Sequence, residues 1–261
     1  MAKDLFLDDL WNSALTSDST FRPVQLSGLP DAAGRYLEHA IAPGTRLAYS
    51  VRLRMHGEIK LKGWLPFTAE QVIRQGRDMI WRATVGRNMS TIRGFDRFVD
   101  GEGAMRWKLF GLFPVMSASG SDISRSAAGR VKAESVWLPS ILCGDDVSWT
   151  AQDSCHPGAH YNVRTHTQPL TLSIDDTGRL KSVKLQRWGN PRAVSSTTRT
   201  SEELWSKKAH LAGTRSRPAC ELAGILGRID LRQKANSSAR RLMKRYIGEH
   251  FSLRSVRYVF T

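Results

Sequence analysis

Residues 47–56, with the sequence LAYSVRLRMH, decide the fold class. Leu, Tyr, Val, Leu and Met occupy the odd positions, and small, charged or imidazole side chains occupy the even ones. Successive side chains of a β-strand point to opposite faces of a sheet. This period of two therefore predicts a strand with one buried face and one polar face.

The same alternation continues along the chain and predicts an antiparallel meander. Asp100-Gly101 lies between two such stretches, and this dipeptide is a strong signal for a tight hairpin. A second group of strands follows after a helical region. The further predicted strands lie at about 69–75, 79–85, 95–99, 104–110, 147–151, 161–167, 170–174 and 180–188.

Three segments carry helical spacing instead. They lie at residues 3–16, at about 31–41 and at 121–137, where Pro139 ends the longest helix because proline cannot continue the backbone ladder. The pattern predicts an α+β protein, in which a curved, half-barrel-like antiparallel sheet packs on one long and two short helices.

The net charge of +15 is unevenly distributed. Residues 1–191 hold 24 Lys and Arg against 19 Asp and Glu, a net charge of +5, whereas residues 192–261 hold 15 against 5, a net charge of +10. The basic signal that would suggest nucleic acid thus describes the last seventy residues. On the strands, Arg52, Arg54, Lys60 and Lys62 suit a solvated sheet face, and no nucleic-acid partner is predicted.

Compartment is inferred from cysteine usage and from the N-terminus. Cys143, Cys155 and Cys220 form no C-x-x-C pair and are odd in number, which favours a reducing environment. The N-terminal residues lack the basic and apolar regions of a secretory signal, and no apolar run is long enough for a membrane span. We therefore expect a cytoplasmic protein with no membrane span.

Glu134 is the one carboxylate on the apolar stripe of the longest predicted helix. A carboxylate in such surroundings could have a raised pKa and line a pocket. The alternative is a structural glutamate paired with an arginine such as Arg82 or Arg106. An enzyme that uses Glu134 as acid or base is therefore the alternative function, and a non-catalytic protein is the preferred reading.

Aromatic residues could line an apolar cavity between the sheet and the long helix, and such cavities hold lipids or other hydrophobic ligands. An ordinary aromatic core is the competing interpretation. A hydrophobic small molecule is the predicted partner. The predicted ligand-binding residues are Trp81, Trp107, Phe110, Glu134 and Trp137.

No cofactor is predicted. The chain has no P-loop, Rossmann fingerprint or G-x-S-x-G elbow. Cys155, His156, His160 and His166 lie close together, but their spacing matches no standard zinc motif, so no metal site is predicted.

Several long segments resemble, in the same order, a bacterial family of uncharacterised proteins with a domain of unknown function. These segments are RYLEHAI, VRLRMHGEIKLKGWLPFTAEQVI, GFDRFVDGEGAMRWKLFGLFPV, SAAGRVKAESVWLPSIL and LQRWGNP. The resemblance covers residues 29–191 and implies a sheet wrapped around helices, similar to lipoprotein-carrier folds.

The family's ending is acidic and strand-rich, whereas the sequence after Pro191 is basic and irregular. When the reading frame of codons 192–248 is shifted by one base, the permitted codons include a translation that contains GGYTIP, GWYFGTDRFE and EGEFF. This translation resembles the family's ending. The third base of most codons is not fixed by the amino acid, so this reconstruction has some freedom. Tryptophan has a single codon, however, and the shifted codon at Trp205 still gives the expected glutamate.

The sequence therefore predicts three parts: an N-terminal helix and loop at 1–28, a truncated family domain at 29–191, and a frameshifted tail at 192–261 that is disordered or weakly helical. The product is expected to be non-functional as encoded.

We expect brief trypsin treatment of the full chain to remove the basic tail and leave a core that ends near Pro191, because an unpacked basic segment exposes its Lys and Arg residues. Mass spectrometry of the surviving fragment measures the boundary. A tail that resists digestion, together with cooperative unfolding of the whole chain, would contradict the predicted frameshift.

Overall fold

The computed structural model describes residues 6–60, 63–87, 91–164, 166–187, 199–200 and 252–260. Two open antiparallel sheets and a few helices make up this part of the chain, so the predicted α+β class is confirmed. The strands are divided between two sheets rather than forming one.

The larger sheet has the strand order β12-β1-β2-β3-β4-β5-β6. Six of its strands follow one another along the chain as a meander, of which the sequence predicts the first five, and β12 pairs with the free side of β1. The bounds are β1 Ser50–Lys60, β2 Trp64–Arg74, β3 Asp78–Val85, β4 Ile92–Val99, β5 Glu102–Leu109, β6 Phe113–Ser119 and β12 Ser252–Phe260.

The smaller sheet has the order β11-β10-β9-β8-β7. Its strands β9 and β10 lie where the sequence predicts them, but the strand expected at 161–167 is wrong, because residues 157–160 pair with β7 instead. The bounds are β7 Ser148–Ala151, β8 Pro157–His160, β9 Leu170–Ile174, β10 Leu180–Arg187 and β11 Arg199–Thr200.

The described residues form α-helices at the three predicted places, although α1 and α3 are shorter than predicted: α1 Leu7–Asn12, α2 Asp31–Ala40 and α3 Ser121–Ala133. Short 3-10 segments also occur there, at Pro23–Leu26, Glu134–Trp137 and Pro139–Cys143. None of the helices among the described residues is long and apolar enough to cross a membrane.

The alternation seen in the sequence separates an inner and an outer face of the larger sheet. Leu53 and Met55 are buried on the inner face, as the pattern of residues 47–56 predicts. On this face α3 contacts β4, β5 and β6, and it also contacts β10 of the smaller sheet. On the outer face, Leu7 and Leu10 of α1 cover one end of the sheet.

Gly103 allows α3 to approach β5 closely. The backbone N–H of Gly103 donates to Ser124 Oγ at 2.8 Å. A β-carbon at position 103 would lie 2.7 Å from Ser124 Cα, so any side chain here would push the helix away from the sheet. Gly103, the second residue of β5, therefore helps to fix the position of α3.

Lys132 links α3 to the loop after β8. Its side chain is fully buried, and its ammonium group donates to the Tyr161 carbonyl and lies 4.5 Å from the centroid of the Tyr161 ring. The Tyr161 hydroxyl donates back to the Lys132 carbonyl at 3.3 Å. Burial lowers the pKa of Lys132 to about 8.

The predicted tail contains the two strands β11 and β12, where disorder or weak helix was expected. The rest of residues 192–261 lies outside the described residues, and so do the weak helices expected there. The boundary at Pro191 stays a prediction.

We expect Lys132→Met to raise the free energy of unfolding at pH 7 by about 2 kcal/mol, because the wild-type protein buries a charge that has no carboxylate partner among the described residues. The folded pKa lies below the unfolded value of about 10.4, so the unfolded chain binds more protons between these values. The contribution of Lys132 to the free energy of unfolding of the wild-type protein therefore rises with pH across this window and is constant below it. Urea unfolding from pH 7 to alkaline pH measures this.

The difference in the free energy of unfolding between Lys132→Met and the wild-type protein should become smaller as the pH rises. Cys143, whose pKa burial raises to about 11, has the opposite effect on stability but contributes equally to both proteins. Lys181→Met, which removes an exposed lysine, serves as the matched control for the change of residue type. A constant difference for Lys132→Met would contradict the lowered pKa.

Candidate functional site

A buried charged cluster lies between α3 and the inner face of the larger sheet. Its members are Gln71 on β2, Asp96 on β4, Arg130 on α3 and Glu134 in the following 3-10 segment. Arg130 is 6% exposed and Glu134 is 2% exposed, so both charges are withdrawn from solvent. We call these four residues the interlayer cluster.

Arg130 is the centre of the interlayer cluster. Its Nε donates to Glu134 Oε1 at 2.8 Å, and its Nη1 donates to Asp96 Oδ2 at 2.9 Å. Gln71 donates its side-chain amide to the other oxygen of Glu134. Burial alone would lower the pKa of Arg130, but the two carboxylates more than offset this and hold the pKa above its ordinary value.

Two tryptophans enclose this cluster. The Arg130 guanidinium carbon lies 5.0 Å from the centroid of the Trp81 ring, and Trp107 Nε1 donates to Asp96 Oδ1 at 3.1 Å. The two tryptophan rings lie 5.6 Å apart. A β-carbon at Gly94 would lie 2.5 Å from the Trp107 ring, so glycine leaves the space that this ring occupies.

The structure brings some of the predicted ligand-binding residues together. Trp81 and Glu134 contact Arg130, Trp107 donates to Asp96 beside them, and Trp137 is buried in the same core. Phe110 lies apart from them, 45% exposed in the turn between β5 and β6.

Glu134 pairs with an arginine, as the structural alternative expects, but neither Arg82 nor Arg106 is that arginine. Arg82 and Arg106 occupy even positions on β3 and β5, which point to the outer face, whereas Glu134 lies against the inner face. The partner is Arg130, one helical turn earlier. The spacing of four residues was the available signal, because side chains at i and i+4 are neighbours on a helix.

A second site lies on the outer face, where a groove of about 790 Å³ crosses β1 to β5. Its walls consist of two rows of side chains that run across the strands, and within each row every residue is paired with the next one on the neighbouring strand. One row is Arg54, Glu70, Arg82, Phe95 and Arg106, and the other is His56, Thr68, Thr84, Arg93 and Lys108. We call this the outer groove.

Glu70 neutralises the β1 side of the outer groove. It pairs with Arg54 at 3.1 Å and with Arg82 at 2.9 Å. Its partial burial would raise its pKa, but the hydrogen bonds from these arginines lower the pKa below its usual value. One carboxylate thus partly offsets the charge of two arginines at this end of the groove.

The β4–β5 side of the outer groove is not balanced. Arg93 and Lys108 are directly opposite on neighbouring strands, and Arg106 lies next to them above the Phe95 ring, 6.0 Å from its centroid. None of the ion pairs within the described ranges involves these three cations. Like charges directly opposite on a sheet are destabilising, so this end would favour an anion.

The sequence pattern places Arg52 and Arg54 on a solvated face of the sheet. The structure places Phe95 among the cations of that face. No group of three His, Cys, Asp or Glu that could hold a metal ion occurs within the described ranges.

The fold and both sites define an α+β protein with open antiparallel sheets, an ionic core and a basic outer groove. The chain belongs to a family of unknown function, DUF6920, whose profile matches residues 27–222. This match continues past Pro191, into residues that the sequence analysis assigned to a frameshifted tail. None of the curated proteins matches this chain.

A weak structural similarity was found to the complex of Pseudomonas aeruginosa MucA/MucB, at 15% identity and a TM-score of 0.19. It covers 60% of this chain, which spans about half the length (52%) of the matched chain. This score is too low to support a shared fold or function, and the resemblance to lipoprotein carriers stays a prediction.

We expect Arg130→Met to lower the free energy of unfolding by about 3–5 kcal/mol, because it leaves Asp96 and Glu134 as buried charges without their common partner. The matched control is Arg82→Met, which breaks a half-exposed pair with Glu70 and should cost about 1 kcal/mol or less. Urea denaturation of both variants at pH 7 measures the difference. Equal losses would show that the interlayer cluster contributes no more than a surface ion pair.

Proposed function

We propose that this protein is a non-catalytic binding module and that a small anionic molecule binds in the outer groove. The observation that carries the proposal is the direct opposition of Arg93 and Lys108 with Arg106 beside them, without an acidic partner in the described part of the chain. A bound anion would remove the repulsion between these side chains and would gain charge-assisted hydrogen bonds.

The dimensions and chemistry of the outer groove support this proposal. A volume of about 790 Å³ lies within the usual range for small-molecule sites, roughly 300–1,000 Å³. Phe95 supplies an apolar surface between the cations, so a ligand with an anionic head and an apolar body would be accommodated.

A hydrophobic small molecule or lipid between the sheet and α3 is a second candidate. Trp81, Trp107 and Trp137 supply the aromatic surroundings that favour it. Against it, the guanidinium of Arg130 lies over Trp81 and is ion-paired on both sides. An apolar ligand there would have to displace or separate buried charges, so we prefer the outer groove.

An enzyme that uses Glu134 as acid or base is the less favoured alternative. A general acid or base must come within hydrogen-bond distance of the substrate. Both oxygens of Glu134 already accept hydrogen bonds, from Arg130 and from Gln71, and the side chain is buried. Catalysis would therefore require the interlayer cluster to open.

Isothermal titration of the full chain with pyrophosphate tests the outer groove. We expect Arg106→Gln to weaken binding by about tenfold, since a hydrogen bond to a charged group contributes roughly 1.5–3 kcal/mol. The control is Arg22→Gln, which removes an exposed arginine away from the groove and should leave the affinity unchanged. Equal weakening by both variants would reveal non-specific attraction and reject the proposed site.

A further inference from the structure

The turn between β5 and β6 exposes three large apolar side chains. Phe110 is 45% exposed, Leu112 is 72% exposed and Phe113 is 62% exposed. The rings of Phe110 and Phe113 contact each other edge to face, with centroids 6.5 Å apart. We call these three residues the apolar turn.

The backbone of this turn makes its aromatic content unexpected. Phe110 and Gly111 have φ values of +56° and +73°, and the Leu112 N–H donates to the Leu109 carbonyl at 3.1 Å. Two successive positive φ values are typical of a type I′ hairpin turn, where Asn and Gly are preferred and bulky residues are rare. The chain thus carries an exposed phenylalanine at a position whose conformation disfavours it.

Cations surround the apolar turn. Lys108 precedes the turn on β5. The Arg93 side chain lies beside the backbone of the turn, since a β-carbon at Gly111 would lie 3.9 Å from Arg93 Cδ. Arg87 is exposed in the turn after β3, at the same end of the sheet, because Val85 pairs with Ile92 and Ile92 with Leu109.

Acidic side chains are not interspersed among these cations. On the outer face of β3, β4 and β5, the half next to the apolar turn carries only cationic, hydroxyl and aromatic side chains: Arg82, Thr84, Arg93, Phe95, Arg106 and Lys108. The carboxylates on this face of the described strands are Glu58 on β1, Glu70 on β2, Asp78 on β3 and Glu102 on β5, and the last two lie at the ends of their strands away from the apolar turn. The turn and its surroundings therefore combine exposed apolar groups with positive charge.

We propose that the apolar turn is a membrane-contact element, which inserts its side chains into the surface of an anionic lipid bilayer while Arg87, Arg93 and Lys108 contact the headgroups. The boundary between headgroups and acyl chains accepts aromatic and leucine side chains, and the anionic surface attracts nearby cations. This goes beyond the proposed function, because it requires no molecule in the outer groove.

The size of the apolar turn favours a bilayer over a protein partner. A specific protein interface buries about 800 Å² on each side. Three side chains on one hairpin turn are far too few for that area. A bilayer requires no complementary shape, and a few protruding apolar groups with flanking cations suffice for peripheral binding.

The test is co-sedimentation of the full chain with vesicles of phosphatidylcholine alone and of phosphatidylcholine mixed with phosphatidylglycerol, at low ionic strength. We expect binding to the mixed vesicles that weakens as salt is added. Because residues 192–261 are themselves basic, binding by the wild-type protein is necessary but not sufficient. The deciding result is the comparison of variants.

Leu112→Ser should weaken partition into mixed vesicles by about tenfold, because it removes an inserted apolar side chain. Its matched control is Leu15→Ser, at a leucine 62% exposed in the loop after α1, and this change should have no effect. Lys108→Gln should weaken binding by about fivefold, as expected for one cation near an anionic surface, whereas exposed Lys181→Gln should not.

Equal partition of Leu112→Ser and Leu15→Ser, or no wild-type binding to the mixed vesicles, would overturn the proposal. Phe113→Ser provides a second variant if Leu112→Ser alters the unfolding midpoint. Pyrophosphate titration of Leu112→Ser separates the two proposals, because this variant should keep wild-type affinity in the outer groove. Leu112→Ser should lose vesicle binding alone, and Arg106→Gln should lose pyrophosphate binding alone. A variant that departs from this pattern identifies which of the two proposals is wrong.

Discussion

The ion pairs of Arg130 with Asp96 and Glu134 are the interaction on which the arrangement of the layers depends. A guanidinium buried between a helix and a sheet is acceptable only when carboxylates compensate it and hydrogen bonds satisfy its donors. Here the compensation comes from two layers at once, one carboxylate from β4 and one from the segment after α3. The helix is therefore tied to the sheet at a defined position, which apolar packing alone specifies less sharply.

This constraint also determines which face of the sheet is available to solvent. The interlayer cluster and its tryptophans occupy the inner face, and α1 covers one end of the outer face through Leu7 and Leu10. The remaining outer face keeps its cations, of which Glu70 compensates only those towards β1. The excess positive charge therefore lies beside the exposed turn between β5 and β6.

Much of the fold could be predicted from local patterns. The alternation in residues 47–56 and the Asp100-Gly101 hairpin predicted the meander, and the spacing of apolar residues predicted α3. Strand β6 was missed, since Phe113 and Pro114 do not resemble a half-buried strand. An edge strand tolerates proline because one side of its backbone needs no ladder partner. The sequence predicts Glu134 and the two tryptophans beside the interlayer cluster as ligand-binding candidates, but it predicts neither Arg130 nor its partner Asp96.

The sequence by itself determined which side chains share a face, because the two-residue period of a strand and the four-residue spacing of a helix are local properties. It could not determine that Arg130 crosses from α3 to Asp96, thirty-four residues away in the chain. The opposition of Arg93 and Lys108, by contrast, follows from the tight hairpin at Asp100-Gly101, which sets the register of β4 against β5. The contact of Arg130 with Asp96 depends on the docking of α3, which is decided by contacts between residues distant in sequence. Only the tertiary structure brings such residues together.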